Sequence, residues 1–267
     1  MDLVYLSAYV LAVIVGISLG LVGSGGSILT VPILVYVLSV EPVLATAYSL
    51  FIVGSTSLIG GIRKALQKKV DFKTVLIFGV PSVITVYLTR AYLLPHIPEE
   101  IIQLYGYSLS KGAALMLLFS VVMILASISM IKPAKLVADE DRIQSYNYPV
   151  IFLEGILVGA LTGLVGAGGG FLIIPALVIL AKMPMKLAVG TSLFIIAAKS
   201  LLGFAGDLQA DQAIDWFFLL TFSLASIIGI FIGIQLSKRI SGAKLKAAFG
   251  WFVLLMGIYI FFKELYS

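Results

Sequence analysis

Apolar runs follow one another along almost the whole chain, near residues 3–22, 27–39, 43–62, 74–89, 112–131, 150–167, 170–181, 186–206, 214–236 and 247–262. A soluble domain cannot absorb so many, because its helices keep a polar face toward water. The runs belong in a bilayer, where about 20 apolar residues make one helical crossing and about 17 is the lower limit. Charge agrees: 12% of the 267 residues are charged, against about 25% in soluble domains. The expected class is an all-α polytopic protein of the cell membrane. The start, Met1-Asp-Leu-Val-Tyr, lacks a basic region and does not read as a removed signal peptide.

Two runs, 27–39 and 170–181, are too short to cross. Each gives about 20 Å of helix or less, against an apolar core of about 30 Å. Both follow a glycine cluster. The first is Gly20-Leu-Val-Gly-Ser-Gly-Gly-Ser-Ile-Leu-Thr-Val-Pro32, the second Gly163-Leu-Val-Gly-Ala-Gly-Gly-Gly-Phe-Leu-Ile-Ile-Pro175. The offset from Gly20 to Gly163 is 143, and it matches 10 of 16 positions over 20–35 and 9 of 17 over 44–60. It aligns Ser49 with Ser192, Tyr48 with Thr191, Ser57 with Ser200 and Thr56 with Lys199. One register held across two separated stretches marks a duplicated fold.

The linkers indicate how the two copies are oriented. Segment 63–73 is basic and its counterpart 207–215 is acidic; segment 90–111 is mixed and its counterpart 238–246 is basic. Basic loops stay in the cytoplasm, so equivalent loops fall on opposite sides and the repeats are inverted. Inversion needs an odd number of crossings per half. Re-entrant helical hairpins at 3–39 and 150–181, each followed by three spanning helices, meet that need and put both termini outside. Three ordinary crossings in place of each hairpin and helix have the same parity, and charge does not separate the two. The expected division is 1–131 for the first repeat, 132–149 for a polar linker and 150–267 for the second repeat.

A broken helix at membrane depth exposes backbone polar groups, which lipid does not tolerate but a ligand cavity does. Gly/Pro interruptions at matching places in two repeats point to a transporter's binding site. Glycine permits positive φ and close approach of a ligand to the backbone, and the helix after the break offers N–H groups to an anion. The candidate substrate-binding residues are Gly23, Ser24, Gly25, Gly26 and Ser27 in the first break and Gly166, Gly168, Gly169 and Gly170 in the second. The competing reading is that these glycines only let helices pack closely. Pro32 and Pro175 read as kinks.

Lys199 joins the candidates, because a charge inside a membrane segment is costly unless used. Its alternative is to snorkel toward the interface. Ser49, Thr191 and Ser192 follow because the repeat aligns them or their partners; Tyr48, Ser55, Ser57 and Ser200 are nearby hydroxyl groups. Any single one of these hydroxyls is more often a helix–helix hydrogen bond. Arg63 and Arg90 read as interfacial anchors and Asp71 and Asp215 as N-caps. Glu41 and Glu154 are the acids nearest the apolar runs. His96 reads as a loop residue without a partner.

With no cysteine and one histidine, no metal site or cofactor is expected. No nucleophile–base pair, paired carboxylates or phosphate loop appears, so an enzyme is not expected. Nothing suggests nucleic-acid binding. The partners expected are a small anion and the lipid bilayer, with a homo-oligomer left open.

The paired glycine motifs, with Ala45-Thr-Ala-Tyr-Ser-Leu-Phe51 and Ala188-Val-Gly-Thr-Ser-Leu-Phe194 behind them, resemble the sulfite exporter TauE/SafE family, also called toluene sulfonate uptake permeases. The resemblance covers essentially the whole chain. It implies an inner-membrane transporter of sulfite or organosulfonates, working as importer or exporter. Ser24 stands where the second copy has Ala167, so a shared side-chain contact there is not implied. The residues alone leave open a carrier of another anion such as a carboxylate, a cation carrier, or an accessory subunit.

Overall fold

The computed structural model describes residues 3–23, 26–104, 107–131, 148–180, 183–210, 214–237 and 242–266. Ser24, Gly25 and the linker over 132–147 lie outside them, as do parts of the acidic 207–215 and basic 238–246 segments. The helices are α1 (Leu3–Val22), α2 (Ser27–Pro32), α3 (Pro42–Leu66), α4 (Phe72–Leu88), α5 (Leu94–His96), α6 (Lys111–Ile131), α7 (Tyr148–Val165), α8 (Gly170–Pro175), α9 (Met185–Asp207), α10 (Trp216–Leu236) and α11 (Gly242–Tyr266). Six segments among the described residues are long and apolar enough to cross a membrane: Pro42–Leu66, Phe72–His96, Lys111–Ile128, Tyr148–Val165, Leu187–Asp207 and Trp216–Leu236. The chain is an all-α polytopic membrane protein.

Local chemistry sets the helix ends. Asp71 accepts from the Lys73 N–H and Asp215 from the Phe218 N–H, capping α4 and α10. Glu41 caps α3 by accepting from the Leu44 N–H, with Pro42 at the first helical position. Each short limb passes into a π-helical turn after its proline, Ile33–Val37 after Pro32 and Ala176–Leu180 after Pro175. Proline brings no N–H, so the carbonyl four residues back loses its donor and the winding loosens.

Segment 90–111 is more ordered than its mixed composition predicts. The helix runs on from α4 through a π-helical turn, Thr89–Leu93, into α5. A two-stranded antiparallel hairpin follows, β1 (Glu100–Leu104) with β2 (Tyr107–Ser110). His96 ends α5, with its Nδ1 at the Tyr92 carbonyl; it is not a loop residue without a partner.

Glycine contacts give the helix directions. Along α3 and α9 the numbers oppose: Gly54 lies against Leu201, Gly61 against Phe194 and Gly190 against Lys69. The pair α6 and α11 is likewise antiparallel, with Gly250 against Met130 and Gly257 against Met123. In α1 and α10 the numbers rise together, Gly16 against Ser226 and Gly20 against Ile230. So do those of α4 and α7: Gly155 lies against Phe78, Gly159 against Ser82 and Gly163 against Thr89. Tyr48 stacks near Phe218, and Gly60 meets Ile230, so α3 runs with α10. Phe72 meets Phe194, and Gly206 meets Arg90, so α4 runs with α9. Thus α1, α3 and α10 point one way, and α4, α7 and α9 the other.

The surface left outward is apolar. Leu76, Val80, Ile84 and Leu88 form an exposed stripe on α4, and Leu220, Leu224 and Ile228 form one on α10. Such faces at helical spacing suit contact with lipid chains. The two ends of the bundle differ in charge. Arg63, Lys64, Lys68, Lys69 and Lys73 gather where α3 ends and α4 begins. Glu41, Glu99, Glu100 and Asp215 gather where α3, α6 and α10 begin.

Candidate functional site

Both glycine clusters turn the chain back on itself. Gly23 has φ +78 and donates to the Leu19 carbonyl at 2.7 Å; Gly166 has φ +70 and donates to the Thr162 carbonyl at 2.9 Å. The second turn continues through Gly168 and Gly169, both at φ +62, a region that side-chain-bearing residues rarely occupy. After the turns, Gly26 packs on Val15 and Leu19 of α1, and Gly169 on Thr162 of α7. Gly26 has φ −67, so close approach is what it supplies. The return limb Ser27–Val37 is about 16 Å long, and its first turn is tied to the glycine turn through the Leu29 N–H, which donates to the Gly26 carbonyl at 3.1 Å. The first limbs are longer than a half-crossing, since α7 alone is long enough to span. Gly166 accordingly reaches Thr46, in the second turn of α3, and Gly23 reaches Val189, in the second turn of α9.

The limbs pass each other midway along α3 and α9. A Cβ on Gly168 would lie 3.5 Å from Ser27 Cβ, 3.3 Å from Ser200 Oγ and 2.7 Å from Val53 Cγ1. Ser27 and Gly170 are the buried first residues of α2 and α8. Lys199 is 1% exposed and donates from Nζ to Thr162 Oγ1 at 3.0 Å. Its ammonium stands beside Gly169, 2.5 Å from where a Cβ would sit. It does not snorkel: the stem turns inward because Thr162 and the glycine turn leave room for it. The hydroxyls of Ser49, Thr56, Ser57 and Ser200 are buried without a hydrogen-bond partner among the described residues. Buried polar groups are normally paired, so four open hydroxyls on the two central helices mark polar capacity that the fold leaves unused.

Other candidates are engaged elsewhere. Thr191 Oγ1 accepts from the Asp71 N–H at 3.0 Å, and Tyr48 Oη accepts from the Asp215 N–H at 2.7 Å. These are one bond made twice: the repeat aligns Tyr48 with Thr191, and the aspartates cap equivalent helices. Ser192 donates to the Val189 carbonyl within its own helix. Lys199, Ser27 and Gly168 come together at the crossing, while Thr191 and Ser192 lie two turns earlier on α9. Gly20 and Gly163 are packing residues. They extend stripes four residues apart, Gly16 with Gly20 against Gly229 with Gly233, and Gly155, Gly159 and Gly163 along α4. That spacing was readable in the sequence.

Arg90 is the residue that sequence reasoning misplaced. It is 0% exposed, not an interfacial anchor. Its Nη1 pairs with Asp207 Oδ1 at 3.2 Å and donates to Thr46 Oγ1 at 3.0 Å. Arg90 sits near the end of the long α4–α5 helix, but Asp207 and the Gly166 turn close over it. A lone arginine at a run's edge carries no signal of that cover. Arg63 does lie near a helix end, stacked over Phe231 at 5.3 Å. Glu154 is half-buried on α7 with both carboxylate oxygens unpaired among the described residues. No cluster of His, Asp or Glu suited to a metal occurs among the described residues.

The profile of the family described as "Sulfite exporter TauE/SafE" matches residues 8–260. A probable membrane transporter protein of Xylella fastidiosa strain 9a5c is 29% identical over 94% of this chain and 92% of its own length. YunE of Bacillus subtilis, also named a probable membrane transporter protein, is 26% identical over 97% of this chain and 100% of its own. MJ0441 of Methanocaldococcus jannaschii, similarly named, is 27% identical over 94% of each. No solved structure matches the chain.

Proposed function

Since the chain belongs to the sulfite exporter TauE/SafE family, and so is a membrane transporter, we propose that it moves small sulfur-containing anions such as sulfite or organosulfonates. Transport, not catalysis, is its activity. The observation that carries this reading is the crossing of two glycine-turned limbs beside a buried lysine. Lys199, Gly169, Ser27, Gly168 and Ser200 bring a cation, backbone groups and the open Ser200 hydroxyl together in mid-bundle. Such a site replaces the hydration shell of an anion with fixed dipoles, at a depth where water is scarce.

The repeats, 1–131 and 150–267 around the 132–149 linker, are inverted in this reading. The opposed directions of α3 and α9, and of α6 and α11, support it. So do the exchanged pairings, α1 with α10 and α7 with α4. The basic end of the bundle is cytoplasmic by the charge rule. Alternating access then rocks one set of limbs against the other, opening the buried crossing to each side in turn.

Proteoliposome flux tests this. Wild type carries sulfite or sulfoacetate faster than acetate, and Lys199→Met and Ser200→Ala lower sulfite flux. Equal flux of acetate would give the substrate class to carboxylates, and unchanged sulfite flux in both variants would remove the crossing as the site.

A further inference from the structure

Arg90 is more than half of an ion pair. Its Nη1 serves both Asp207 and Thr46, while Nε and Nη2 are buried and have no partner among the described residues. Those two atoms form one edge of the guanidinium, with parallel N–H donors that match two oxygens of one oxyanion. The edge adjoins the glycine turn: Nη2 lies 2.6 Å from where a Cβ on Gly166 would be. Gly166 is in the left-handed turn where the second hairpin tip reaches α3. Arg90 also rides in the π-helical turn Thr89–Leu93, a distortion often kept at functional positions.

Charge counting points the same way. The turn from Gly166 to Gly169 has Arg90 at one end and Lys199 at the other. Asp207, with Oδ2 unpaired, is the one acid paired with either of them among the described residues. With Lys199 protonated, the turn is one negative charge short of neutrality. Buried charges demand compensation, and a monoanion supplies it.

We propose that the Nε/Nη2 edge of Arg90 is a second oxyanion-binding point, at the opposite end of the glycine turn from Lys199. Asp207 sits on the other side of the guanidinium, at Nη1, and opposes an arriving anion by like charge, not by occupying the edge. An anion arriving at the edge loosens Asp207's hold on Arg90, and the hairpin tip is freed from α3 and α9 as it binds. Arg90 thereby couples occupancy to movement of the second hairpin. This rests on the anion-transport reading and adds a station to it, on the side where α4 and α9 end.

The test measures the melting temperature of the purified full chain and, in parallel, concentration-dependent flux in proteoliposomes. Probes are sulfite, sulfate and acetate, with chloride as the ionic-strength control. The informative variants are Arg90→Lys, which keeps the charge but lacks the edge, and Arg90→Gln with Asp207→Asn, which removes both charges and leaves neither member of the pair as a lone buried charge. Sulfite stabilises wild type. In both variants KM for sulfite rises tenfold or more, with kcat changed less, and the stabilisation by sulfite is lost. Asp207→Asn alone lowers KM severalfold, because the carboxylate that repels an arriving anion has gone. If the doubly neutral variant keeps wild-type KM and its stabilisation, Arg90 is only structural and the inference falls, while the transporter reading stands. If acetate stabilises wild type and sulfite does not, the sulfur substrate falls and the Arg90 edge stands. Stabilisation by no oxyanion overturns the Arg90 edge.

Discussion

Replacing Lys199 with methionine separates what this residue does for transport from what it does for the fold. Lys199 is 1% exposed and makes one hydrogen bond, to Thr162 Oγ1, and no ion pair among the described residues. That bond contributes about 1.5–3 kcal/mol, as hydrogen bonds to charged groups do. Against it stands the burial of an ammonium, whose effective penalty is several kcal/mol even after relaxation. Methionine fills nearly the same length with adaptable apolar atoms. Thr162 Oγ1 keeps its bond to the Gly159 carbonyl at 3.3 Å, so no orphan is created. The balance favours the variant by about 1–2 kcal/mol, the sign seen when buried charges give way to apolar residues. At roughly 2–4 °C per kcal/mol, Lys199→Met melts about 2–8 °C higher in detergent while its sulfite flux falls by at least tenfold. A lower melting temperature would refute the reasoning, because Lys199 would then be holding the hairpin in place.

Further outcomes follow from the packing and the helix directions. Gly16→Ala puts a methyl group against the Ser226 carbonyl and within 2.9 Å of Gly229 Cα; backbone cannot yield, so about 3 kcal/mol is lost and folded yield drops in size-exclusion chromatography. Gly79→Ala is the contrast, with nothing nearer than Val75 Cγ1 at 4.0 Å, and it leaves the melting temperature unchanged or raises it, by at most about 1 kcal/mol of helix propensity. Tyr48→Phe and Thr191→Val each orphan one N–H at a helix start, losing about 1–2 kcal/mol apiece, and their effects on melting temperature add because the bonds share no partner. The chain has no cysteine, so Gln67→Cys and Gln209→Cys, at opposite ends of the bundle, label with an impermeant maleimide from opposite faces, Gln67→Cys from the cytoplasm; labelling of both from one face would overturn the helix directions.

What the sequence made legible was whatever periodicity and duplication encode. The runs at 43–62 and 186–206 mark α3 and α9, and Asp71 and Asp215 are the caps their position before a run implies. The glycine clusters marked where the chain turns back. What escaped depends on tertiary cover. Arg90 looked interfacial because its place at a run's end is all that sequence records; Asp207, 117 residues away, is what buries it. The hairpin β1–β2 lay hidden in a segment read only for charge. The crossing at Ser27 and Gly168 depends on how deep each limb sits against α3 and α9, which run lengths do not record. Thr191 looked like a site hydroxyl, yet its spacing from Ser192 says nothing about Asp71 arriving from a neighbouring helix.

The exchanged pairings constrain how the chain is made. The main neighbour of α1 is α10, and that of α4 is α7 with α9, so little of the first half's small-residue surface has a mate until the second half emerges from the ribosome. Arg90 enters the membrane 117 residues before its carboxylate is synthesised. During that interval it is a lone cation near a bilayer face, where a long side chain can still reach water. The first half is therefore a waiting intermediate. Severing the chain in the 132–149 linker should yield pieces that fold only when supplied together.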